Sequence, residues 1–228
     1  RGESDERNGV DAREVLSNRY EKAQQRNRLS REPWLAIGEL ALDKNDAAFA
    51  AETFTAGLKQ FPDDPDLHFG LARALAASNS PDATAAITAA LMVNGQHISS
   101  LLFQIDRLIS SEEYDKALEL ISRIRSVNPH QSEAWAYRAV VAHFTNDPRG
   151  EAAARDHALD RWSSNPRVDH IIGRKLSQHY RFKEGAAYQR RALSIDPKFV
   201  PARRQLAQDL LRLGDEAEGW QVVEQAHE

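Results

Sequence analysis

The chain has 228 residues, a formal net charge of -4, no cysteine and only 7% aromatic residues. Without cysteine there are no disulfides, thiolate metal sites or cysteine nucleophiles. The negative charge argues against general attraction to nucleic acid or to an anionic membrane surface, and no apolar run approaches the roughly 18 residues that a spanning helix needs.

Residues 1–10 carry Gly, Ser, Asn and charges with no apolar face, and are expected to be disordered. Residues 11–29 place Leu16, Tyr20 and Ala23 at helical spacing. They read as a capping helix, either the second helix of a degenerate repeat or an unrelated amphipathic cap. Next come Trp34, Ile37, Gly38 and Ala41, at i, i+3, i+4 and i+7 on one helix face, and Ala50, Phe54, Gly57 and Leu58 on a second. Asn45-Asp46 breaks the pattern between them, and Pro62 closes the unit, because proline cannot continue a helix.

That unit recurs. Gly38, Ala72, Ile105, Ala139, Gly173 and Ala207 are separated by 34, 33, 34, 34 and 34 residues. Gly57, Ala90, Ile124, Ala158, Ala192 and Ala226 follow in step, separated by 33, 34, 34, 34 and 34. Two series with one period imply a supersecondary unit stacked about six times, over 31–64, 65–97, 98–131, 132–165, 166–199 and 200–228. The second unit is one residue short near Asn79-Ser80-Pro81. In the fourth, Glu151 and Arg155 stand where small and aromatic residues are usual. An elongated second helix over 149–163, and a local change of pitch or hinge, are expected there.

Trp34-x2-Ile37-Gly38-x2-Ala41…Ala50-x3-Phe54…Pro62 follows the pattern W-x2-L-G-x2-Y…A-x3-F…P, with only the tyrosine replaced. The chain therefore resembles the tetratricopeptide repeat (TPR) family over residues 31–228. The resemblance implies an all-α, right-handed α-solenoid whose concave groove is lined by the first helix of each unit. It also implies a non-catalytic scaffold for a peptide or protein partner. Alternatives are an accessory or regulatory region of a larger multidomain enzyme, such as a bacterial peptidase or transferase, and a helical-repeat RNA binder, which the acidic balance disfavours.

Transferring the family's groove positions gives Glu32, Leu35, Glu39, Asp43, Asp66, Phe69, Leu102 and Asp106 in an acidic and apolar first half. Ala136, Val140, His143 and Phe144 follow, and then Arg167, His170, Arg174, Gln178, Arg204 and Gln208. Residues 30–148 hold 9 Lys and Arg against 16 Asp and Glu, whereas residues 149–204 hold 13 against 6. The last six groove residues are thus the candidate site for a partner with an acidic segment, since arginine's planar fork suits carboxylates; the alternative is a set of ordinary solvated helix faces. The lysine and asparagine of the carboxylate clamp found in some co-chaperone TPR domains are absent.

No metal-ligand spacing, P-loop, dinucleotide fingerprint or nucleophile elbow occurs, so neither a cofactor nor a catalytic residue is expected. The sequence opens on Arg1 and stops at Glu228 within the last unit, which reads as a segment of a longer protein. The apolar residues around Trp220 suggest a covering partner or self-association through the last helix.

Overall fold

The computed structural model describes residues 30–78 and 80–224. The expected disordered segment 1–10, the capping helix 11–29 and Ala226 lie outside them. Among the described residues there are twelve helices and no strands. In chain order these are α1 (Glu32–Asp43), α2 (Ala47–Gln60), α3 (Pro65–Ala77), α4 (Ala83–Val93), α5 (Ile98–Ser110) and α6 (Tyr114–Val127). Then come α7 (Ser132–Phe144), α8 (Pro148–Leu159), α9 (Pro166–Gln178), α10 (Phe182–Ile195), α11 (Val200–Leu213) and α12 (Glu216–Glu224). The fold is all-α and of the helix-turn-helix repeat type. It divides into two compact units after Ser100.

The turn within each repeat is built by one hydrogen bond that recurs in every unit. The N–H groups of Asp46, Ser80, Glu113, Asp147, Arg181 and Asp215 donate to the carbonyls of Ala41, Leu75, Leu108, Ala142, Leu176 and Leu210, at 2.8–3.0 Å. Each closes a helix end in the six-to-one manner of a Schellman motif. Such a motif needs a left-handed residue just before the donor, and Asn45, Glu112, Asn146, Tyr180 and Gly214 have φ of 59°, 60°, 57°, 64° and 85°. Only Gly214 adopts that conformation without a steric cost.

The described members of both small-residue series lie inside the protein. Ala72, Ile105, Ala139, Ala90, Ile124 and Ala192 have no exposed surface, and Gly38, Gly57 and Gly173 are buried as well. In the first repeat, Ala41, Ala50 and Phe54 form the core with Leu67 and Ala74 of the next. Phe54 fills the space left by Gly38: a Cβ on Gly38 would stand 2.3 Å from the Phe54 ring. The fifth repeat solves the same problem with different chemistry. There Gln189 is fully buried over Gly173, and its amide bonds His170 instead of filling apolar space.

The shortened second repeat is absorbed at the start of its second helix. The N–H of Ser80 still closes the turn, but Pro81 and Asp82 intervene before α4 begins at Ala83. The expected lengthening in the fourth repeat does not occur. α8 spans Pro148–Leu159, shorter than its counterparts α2, α6 and α10. Asp147 caps its start by accepting the N–H of Gly150, and the helix stops before the Ser163-Ser164-Asn165 turn. Glu151 and Arg155 each have a partner on another helix. Glu151 lies 3.0 Å from His143 Nδ1 and accepts the Tyr188 hydroxyl at 2.5 Å. Arg155 grips the fully buried Asp169 with two nitrogens, at 2.6 and 2.7 Å.

At the C-terminal end, Val222 is buried with Leu206 and Leu210, whereas Trp220 is 59% exposed.

Candidate functional site: the groove face of the second unit

The second unit contains all six candidate groove residues. α9 supplies Arg167, His170, Arg174 and Gln178, and α11 supplies Arg204 and Gln208. Asn165 starts α9 by accepting the N–H of Arg167, and Pro166 occupies the first turn, where its missing donor costs nothing. This capped start orients Arg167, which is exposed and lies 3.8 Å from Glu133 of α7.

His170 is half buried, with Nδ1 2.9 Å from the Gln189 side-chain oxygen and its ring edge-on to Phe199. Burial lowers its pKa below the ordinary histidine value, and the positive charges of Arg174, Arg167 and Arg204 lower it further. Four of the six candidates therefore share one electrostatic neighbourhood. Arg204 is exposed and makes no ion pair or hydrogen bond among the described residues. Gln178 and Gln208 are exposed on the same two helices, and no contact joins them to the cluster.

Arg174 differs from its neighbours. Its Nη2 donates to Asp106 Oδ1 at 2.6 Å and to the Tyr137 hydroxyl at 3.3 Å. Tyr137 donates in turn to the same carboxylate oxygen at 2.9 Å. Lys175, whose side chain has no exposed surface, donates to Asp106 Oδ2 at 3.2 Å, to the Asp106 carbonyl at 2.9 Å and to Ser110 Oγ at 2.7 Å. Burial opposes ionisation of Asp106, but Arg174 and Lys175 outweigh it and hold the carboxyl below its usual range. Burial pushes the Lys175 amine down. The Tyr137 hydroxyl is pushed up, first by burial and then by Asp106. Asp106, counted with an acidic first half in the sequence, is thus the counter-ion of the basic half.

Sequence reasoning placed Arg174 and Asp106 at the same repeat position without seeing that they meet. It missed Lys175 and Tyr137 altogether. A signal for Lys175 was present, because its repeat equivalents include Ala74 and Val141, both buried apolar residues. Among the described residues no three His, Asp or Glu side chains converge as a metal site would require, and no helix is long and apolar enough to cross a membrane.

The family model for the tetratricopeptide repeat matches residues 35–93. The remaining described helices repeat the same helix-turn-helix fold. The fold of the chain is similar to that of TTC0263, a thermophilic TPR protein of Thermus thermophilus, at 18% identity and a TM-score of 0.62, over 80% of this chain and 100% of that one. It is similar to the Cut9–Hcn1 hetero-tetramer of the APC/C at 16% identity and a TM-score of 0.63, over 94% of this chain and 43% of that one. It also resembles YrrB, described as a TPR protein with an unusual peptide-binding site, at 14% identity and a TM-score of 0.50, over 80% of this chain and 95% of that one. No curated protein matches the chain by sequence.

Proposed function

We propose that the chain is a non-catalytic scaffold and that the groove face of its second unit takes an acidic segment of a peptide or protein partner. The observation that carries this reading is the neighbourhood of Arg167, His170 and Arg204, three side chains drawn from two consecutive groove helices. Arg204 has no internal partner among the described residues, and Arg167 is only loosely engaged by Glu133. Both guanidiniums are therefore available for charge-assisted hydrogen bonds. Gln178 and Gln208 add neutral donors and acceptors on the same helices. Arg174, held by Asp106, serves as the floor of the site and as a source of positive potential. The description of YrrB as a peptide binder on the same fold is consistent with this reading.

The test is calorimetric titration with a glutamate-rich peptide, comparing the parent chain with a variant carrying Arg167→Glu and Arg204→Glu. The reading expects measurable binding that weakens with salt and is lost in the variant, with helicity unchanged. Equal affinity in the two proteins would remove the site.

A further inference from the structure

The contact between α5 and α9 joins helices that are two repeats apart. In a repeat array each unit ordinarily packs on its neighbours alone. Here α7 packs against α9, as expected of neighbours. Yet Asp106 on α5 reaches Arg174 and Lys175 on α9, at sequence separations of 68 and 69, and so passes over α7 altogether. Lys175 also bonds the Asp106 carbonyl and Ser110, so the backbone of α5 is held as well as one side chain.

Beneath this bridge lies the groove face of α7. Val140 stands at the same repeat position as Asp106 and Arg174, yet it has no exposed surface, and neither has Ala136 one turn before it. Tyr137 is also buried and ties α7 into the bridge through its hydroxyl. The covered part of the α7 groove face is thus apolar, and the Asp106 bridge spans it.

We propose that Asp106 is a latch. One carboxylate draws α5 onto α9, closes the groove of the second unit over α7, and sets its width. Releasing it separates α5 from α9 and exposes Ala136 and Val140. The latch works by placing two cations and one hydroxyl on a single acceptor group, so its loss breaks the contact in one step. This device acts on the width of the groove and does not depend on the identity of any partner.

The absence of cysteine makes the test direct. A single Val140→Cys substitution reports on the covered face through its rate of reaction with a thiol reagent. Two variants break the latch from opposite helices, Asp106→Asn and Arg174→Gln, the first retaining the shape of the side chain. Each should accelerate labelling by roughly tenfold or more, as local opening does for a protected group, while circular dichroism shows the helices retained. A spin-label pair at Arg107→Cys and Gln178→Cys, both exposed positions, should report a longer and broader distance in both latch variants. Unchanged labelling and an unchanged distance in either folded variant would overturn the proposal.

Discussion

Arg174 and Asp106 lie 68 residues apart in sequence and 2.6 Å apart in space, and Lys175 approaches the same carboxylate from a fully buried position. Removing Asp106 therefore leaves a dry ammonium and a half-buried guanidinium without a counter-ion. Breaking a buried pair in this way costs about 3–5 kcal/mol. The exposed quarter of the Asp106 side chain places this case near the lower end. Asp106→Ala should lower the urea midpoint accordingly, and adding Lys175→Met should restore part of the loss. A loss that Lys175→Met does not relieve would show that the lysine is not the stranded charge.

The same network fixes a pH dependence. The carboxyl of Asp106 is held low in the folded protein. Its contribution is therefore present above the ordinary carboxyl range and disappears as pH falls through the depressed folded value. Lys175 has a lowered pKa in the folded state, so stability is lost as pH falls from the ordinary lysine value to the lowered one, a window separate from that of Asp106. Asp209 has the opposite sign. It is buried with only Ser177 and Gln205 as partners, and burial raises its pKa, so its ionisation works against folding as pH rises through the raised value. Asp209→Asn should raise the thermal midpoint at neutral pH, with the gain shrinking in acid. A gain that is the same at both pH values would contradict this assignment.

Tyr180 takes the left-handed conformation at a turn where the equivalent residues include Asn45, Asn146 and Gly214. It is 83% exposed, so little packing offsets the strain. Tyr180→Asn should stabilise the protein by about 0.5–1 kcal/mol, because asparagine tolerates this region better than an aromatic residue does. Chemical denaturation measures it, and a loss of stability would show that the ring of Phe182 against Tyr180 outweighs the strain.

The glycines of the repeat divide by what a side chain would meet. Gly38→Ala would drive a methyl into the buried Phe54 ring and should cost about 1–3 kcal/mol. Gly173→Ala should cost more, because one of its neighbours is the Gly185 carbonyl at 2.8 Å, which cannot swing away as a side chain can. Equal unfolding midpoints for the two variants would show that Gly185 yields as readily as Phe54.

Most of the fold was legible because small residues at two repeat positions leave a periodic trace that survives changes elsewhere. Ile105 and Ile124 belong to that trace although neither is small, and both are fully buried. The second repeat's missing residue was also visible, near Asn79-Ser80-Pro81. The compensations were not. Glu151 and Arg155 looked like defects because their partners, His143, Tyr188 and Asp169, sit on other helices at no fixed spacing. The candidate site was legible as a set of groove positions. Which of its arginines is committed internally depended on a contact two repeats away, and nearest-neighbour reasoning does not reach that far.

Two arginines on adjacent groove helices differ in their engagement: Arg174 is committed to Asp106, whereas Arg204 makes no ion pair among the described residues and is the residue proposed to meet the partner. The direct measurement is a parallel comparison of Arg174→Gln and Arg204→Gln, each scored for unfolding midpoint and for affinity toward the glutamate-rich peptide. Arg174→Gln should lower the midpoint, whereas Arg204→Gln should leave it unchanged and weaken binding. An Arg204→Gln variant that binds as tightly as the parent chain, or an Arg174→Gln variant with an unaltered midpoint, would contradict this division of roles.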